Sequence, residues 1–105
     1  MVELKSIEER IKNLSDYIST FEENEIQPTE IEFNELESIS DCIRQEILHE
    51  FRNLTHYNFN DFSTILSMNP VYNKEIMEQY SKTFQKLNTL NDLCIRIRHL
   101  FTRRF

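Results

Sequence analysis

The sequence predicts an all-α protein, an elongated three-helix bundle or helical hairpin with coiled-coil-like a/d seams. Apolar residues recur at alternating three- and four-residue steps along three segments, the spacing of a helix face. No segment alternates with period two over the length of a strand. The 105 residues also contain no Gly and two Pro, so tight β-hairpin turns lack the residue they usually need for positive φ. This length suits one domain, residues 1–105, rather than two cores.

The first helix is expected over residues 2–22, where Leu4, Ile7, Ile11, Leu14, Ile18 and Phe21 form an a/d seam flanked by Glu3, Glu8, Arg10 and Glu22. Pro28 stops it from continuing. Thr29 with Glu32 three residues later is a capping box. It opens a second helix, expected over 29–56, whose apolar stripe is Phe33, Leu36, Ile39, Ile43, Ile47, Phe51 and Leu54. Cys42 and Leu48 widen that stripe, so this helix should contact two neighbours. Residues 57–69 are Asn-rich and read as a connector that packs its aromatics on the bundle, with Asp61 capping a short turn through Phe62, Ile65 and Leu66. Asn69-Pro70 is a helix start. The third helix is expected over 70–103, with Ile76, Tyr80, Phe84, Leu87, Leu90, Cys94, Ile97 and Phe101 on one stripe. It outruns the first helix, so part of its stripe should lack a partner within the chain and mark an interface.

Composition removes several functions. Without Gly there is no P-loop and no dinucleotide-binding turn, because both need Gly where the backbone approaches phosphate. No apolar run approaches the roughly 18 residues of a membrane span. The charged, periodic N-terminus is unlike a signal peptide. Cys42 and Cys94 lie in apolar-periodic segments and read as two reduced, buried thiols in an intracellular, reducing compartment.

The candidates for chemistry centre on the second helix. Cys42, His49 and His56 share a face, but successive members lie about 10 Å apart along the axis, too far for one metal ion. No metal and no cofactor are expected. The run Glu46-Ile47-Leu48-His49-Glu50-Phe51-Arg52-Asn53 resembles the phosphoacceptor box of sensor histidine kinases, with Leu54-Thr55-His56 where a proline often follows. That resemblance implies a solvent-facing His49 that accepts phosphate in a phosphotransfer or docking module. Arg44 followed at five residues by His49 resembles the signature of the HEPN nucleases, small all-α domains. It implies an Arg that steadies the scissile phosphate by charge and a His that transfers the proton. In this sequence Gln45 follows the Arg, and Phe51 takes the place of the usual Tyr. No other nucleophile–base set is apparent, and no small-molecule substrate is evident.

Charge is unevenly spread. Residues 1–50 carry 14 acidic and 4 basic side chains, and residues 51–105 carry 4 and 8, so halves of −10 and +4 make up the net −6. From Glu22 to Glu37 there are seven acids and no base, and after Asp92 four Arg and no acid. In an up-down-up bundle these two stretches meet, so Glu22, Glu23, Glu25 and Glu30 should face Arg96, Arg98, Arg103 and Arg104. A contact of the basic end with nucleic acid or an anionic membrane is a secondary expectation.

The expected function is a small non-enzymatic interaction or assembly protein. It would pack with a second copy, most simply as a dimer, or with a partner subunit through Leu4, Ile7, Ile11, Leu14, Ile18, Phe21, Leu90, Cys94, Ile97 and Phe101. The alternatives are a His49-centred phosphotransfer or HEPN-like regulatory module, and an acidic inhibitor or adaptor that enters a basic groove through residues 22–37.

Overall fold

The structure, a computed structural model, describes residues 6–68 and 73–102. Every regular element among these residues is helical: α1 (Ile7–Glu23), α2 (Glu30–Thr55), α3 (Phe59–Met68) and α4 (Lys74–Thr102).

Local chemistry sets the helix ends. Ser6 caps α1, its hydroxyl accepting the Glu9 N–H at 3.1 Å, and Glu8 and Glu9 complement the dipole in the first turn. At the other end the Ile26 N–H donates to the Phe21 carbonyl at 3.0 Å and the Glu25 N–H to the Glu22 carbonyl at 3.3 Å, a Schellman pair. Glu25 takes the left-handed position of that motif at φ 52°, where Gly is usual. Both arms of the capping box on α2 form, Glu32 N–H to Thr29 Oγ1 at 3.2 Å and Thr29 N–H to Glu32 Oε1 at 3.1 Å. His56 ends α2 in the left-handed region at φ 65°, its N–H donating to the Arg52 carbonyl at 2.8 Å.

The stretch expected to be a connector, 57–69, contains α3. Asn58, not Asp61, begins it: Asn58 Oδ1 accepts the N–H groups of Asn60 and Asp61 at 3.0 and 3.3 Å. Phe59, Phe62 and Leu66 follow at helical spacing and supply the buried face. Asn73 caps α4, with Oδ1 accepting the Ile76 N–H at 3.2 Å. The expected start at Asn69-Pro70 and the expected first turn carrying Leu4 both lie outside the described residues.

The helices α2 and α4 run antiparallel along their length. Phe33 stacks on Phe101, Ser40 meets Cys94, Glu50 meets Lys86, and Phe51 meets Tyr80. At one end of this pair α1 packs over α2 and α4, and Ile11, Leu14, Ile18 and Phe21 join Leu36, Ile43, Ile47, Leu90, Leu93, Ile97 and Leu100 in the main core. At the other end α3 builds a second core in which Phe51, Phe59 and Phe62 pack with Ile76, Met77 and Tyr80. Leu87 touches both cores. The two covering helices lie on different sides of the pair. Glu46 and Glu50 of α2 border α1, whereas Gln45, Leu48 and Arg52 line a groove with the start of α3. Part of the stripe of the last helix, expected to lack an internal partner, packs against α3 through Ile76 and Tyr80, while Phe84 on the same stripe is exposed. A ten-residue helix is too short to stand alone in water, but it is long enough to bury two aromatics, Phe59 and Phe62, on a preformed pair.

Cys42, expected to be buried, is exposed, and Cys94 is half-buried; both are free thiols. Cys42 sits one residue from buried Ile43, and a step of about 100° carries it off the packed face. Among the described residues no helix is long and apolar enough to cross a membrane.

Candidate functional site

The expected interface residues are placed mainly inside the chain. Ile11, Leu14, Ile18, Phe21, Leu90 and Ile97 are buried where α1, α2 and α4 meet, with Ile18 and Leu90 wholly enclosed. Ile7 is half-buried on the edge of that core. Phe101 is exposed on one side while its ring stacks on Phe33 at 4.4 Å. Leu4 lies outside the described residues.

Of the residues expected to bring the acidic stretch to the basic end, Arg96 and Glu22 form an ion pair among the described residues. Arg96 of α4 donates to Glu22 from Nη2 at 2.5 Å and from Nε at 3.3 Å. Nη1 and Nη2 also donate to Ser15 Oγ at 3.1 Å and Ser19 Oγ at 3.0 Å. The hydrogen bonds to Glu22 push the guanidinium's pKa above its ordinary value against the opposing effect of burial. Glu23, Glu25 and Glu30 are exposed and make no ion pair among the described residues. Arg98 lies beside Glu37 in a groove, and Arg103 and Arg104 fall outside the described residues.

Two further ionic links were not legible in the sequence. Lys86 bridges all three long helices, with Nζ 3.0 Å from Glu8 Oε1 and 3.2 Å from Glu50 Oε1. Arg10 pairs with Glu46. Neither is signalled by spacing, because each depends on how far one helix is shifted along another.

Three surfaces offer chemistry or binding. The first is a groove of about 500 Å³ between α2 and α4, on the side away from α1. Cys94 Sγ lies there 2.8 Å from Ser40 Oγ and 3.4 Å from Arg44 Nη2, and Arg44 Nη1 donates to Asp41 at 3.1 Å. Among the described residues the thiol's hydrogen-bond partners are this hydroxyl and guanidinium, neither of them the imidazole or carboxylate base that activates a thiol nucleophile. The second is a smaller recess lined by Gln45, His49, Arg52, Asn58 and Asn60, with His49 exposed. Arg44 and His49 therefore face different grooves, and one chain does not bring the HEPN-like pair together. No group of three or more potential metal ligands occurs among the described residues.

The third surface is apolar: Ile26, Ile31 and Met68 lie off the expected helical stripes, whereas Leu54, Phe84 and Phe101, expected on those stripes, are exposed in the structure. Ile26 is 53% exposed and Ile31 80% exposed on the α1–α2 connection and first turn of α2. Phe101 belongs to the same end, since Gln27 donates its side-chain N–H to the Phe101 carbonyl. Leu54, Tyr57, Ile65, Met68 and Phe84 are exposed toward the opposite end, and Ile95 beside the α2–α4 groove. No family model, curated protein or solved structure matches this chain.

Proposed function

We propose that the chain is a small helical interaction or assembly protein with no chemistry of its own. The supporting observation is the apolar surface left after its own seams are filled. Ile31 and Met68 are about four-fifths exposed, at 80% and 81%, and Ile26, Leu54 and Ile95 are more than half exposed. Isolated exposed apolar groups are ordinary, but concentration at the two ends of a small helical protein suits docking. In this reading α1, α2 and α4 act as a three-helix bundle knit by coiled-coil-like seams, α3 braces it, and a partner subunit or second copy packs outside. The seam residues then hold the platform, and the exposed residues make the contact.

The test is copurification from the native source, followed by reconstitution with the purified partner, alongside light scattering of the chain alone. A complex that re-forms from pure components, or a concentration-dependent dimer, supports the proposal. A strict monomer with no reconstitutable partner refutes it.

Phosphotransfer at His49 is a second reading, favoured by the exposure of that side chain and by Arg52 lining the same recess. Phosphoramidate offers a direct test, since an imidazole nitrogen attacks phosphorus and ammonia leaves. An acid-labile adduct that disappears in His49→Ala supports this reading, and its absence from the wild-type chain removes it.

A further inference from the structure

The exposed isoleucines of the α1–α2 end lie among carboxylates, and this combination says what should cover them. Glu23 and Glu25 precede Ile26, Glu30 precedes Ile31, and Glu35 follows one helical turn later. All four carboxylates are exposed and make no ion pair among the described residues. Arg10, Arg44, Lys86 and Arg96, by contrast, are each engaged within the bundle.

The segment is also held in one shape. The Schellman pair closes α1, and Gln27 is tied to the Phe101 carbonyl. Pro28 is buried, and the Thr29–Glu32 box fixes the start of α2. A preformed loop loses little entropy on docking. Glu25 carries its carboxylate at the left-handed position of that closing turn, at φ 52°.

We propose that this end is a docking surface for a basic partner protein. Ile26 and Ile31 enter an apolar strip, and Glu23, Glu25, Glu30 and Glu35 meet the Lys and Arg residues along its edges. A cationic amphipathic helix has that chemistry. A second copy approaching with the same end would set like charges together, and nucleic acid or an anionic membrane would be repelled. The proposal rests on the interaction-protein reading and adds the place and the partner's charge.

The test uses a synthetic amphipathic helix of Leu and Lys, with a Leu/Glu helix of equal length as control, followed by backbone amide shifts of the whole chain. The Leu/Lys helix should bind, with the largest shifts across residues 23–35, and high salt should weaken it. Ile26→Ser and Ile31→Ser keep every charge and alter only exposed side chains; each should weaken binding by about tenfold or more. Glu30→Lys with Glu35→Lys should weaken it further. The Leu/Glu helix should not bind.

The proposal is overturned if the Leu/Lys helix does not bind, if its shifts centre on the α2–α4 groove, or if the isoleucine variants bind as well as wild type. A reconstituted native partner that binds wild type and Ile31→Ser equally would overturn this surface while leaving the interaction-protein reading intact.

Discussion

Arg96 on α4 grips Glu22 on α1 with a two-pronged ion pair, Nη2 to Oε1 at 2.5 Å and Nε to Oε2 at 3.3 Å. Two further N–H groups reach Ser15 and Ser19. Those three residues of α1 are spaced by four and three, so one stripe of the helix is read by one guanidinium. The contact sets the rotation of α1 about its own axis more than it adds stability, because both side chains are about one-third exposed. A double-mutant cycle of Arg96→Met and Glu22→Gln in urea is expected to return a coupling of about 1 kcal/mol, smaller at high salt. Arg96→Lys should recover little of it, since an ammonium cannot form the fork.

Phe62 is wholly buried and within ring contact of Phe51, Tyr57 and Tyr80, at centroid distances of 5.8, 5.3 and 5.5 Å. Phe62→Ala is expected to cost about 3–4 kcal/mol. The loss should fall on α3 and the adjoining ends of α2 and α4. Amide exchange should therefore accelerate most across residues 59–68, with α1 less affected.

Glu25 and His56 occupy left-handed backbone positions at the ends of α1 and α2, in a chain with no glycine. Glu25→Gly and His56→Gly are each expected to stabilise the fold by about 0.5–1 kcal/mol, raising the melting temperature by a few degrees. Ala at either position should give no such gain.

Glu8 and Lys86 link folding to pH. A backbone hydrogen bond, then the hydrogen bond from Lys86, holds the Glu8 carboxyl below its ordinary value. Burial pushes Lys86 down, but its hydrogen bonds to Glu8 and Glu50 outweigh this, leaving it above its ordinary value. The lowered glutamate contributes stability at and above its ordinary range and loses it as the pH falls through its folded value. The raised lysine contributes below its ordinary value and loses its share as the pH rises through the folded value, on the alkaline side. Stability from this group should therefore be level near neutrality and fall at both extremes. Glu8→Gln should flatten the acid limb by a fraction of about 1 kcal/mol, since Glu8 is largely exposed. Chemical melts across pH check this.

His49 and Cys94 show how far residue spacing carries the search for a site. The exposure of His49 could not be read from the sequence, because the stripe of α2 broadens around Leu48. The Cys94–Ser40–Arg44 contact depends on the relative shift of two helices far apart in the chain. Ile31 and Met68 give no signal in the sequence because they do not repeat with the helix.

The sequence by itself determined the helical class, the bodies of α1, α2 and α4, the Thr29–Glu32 cap, and the apolar residues that became the main core. Each of these depends on neighbours within a turn or two, where backbone geometry dictates what can touch. Charge asymmetry also indicated which ends would meet, and Glu22 with Arg96 is such a meeting. Only the tertiary structure decided that 59–68 folds as a helix, that this helix packs on the first turns of α4, and that Lys86 joins three helices. Those outcomes depend on the offset and rotation of whole helices. They are fixed by the summed packing of both cores, which no single spacing in the chain encodes.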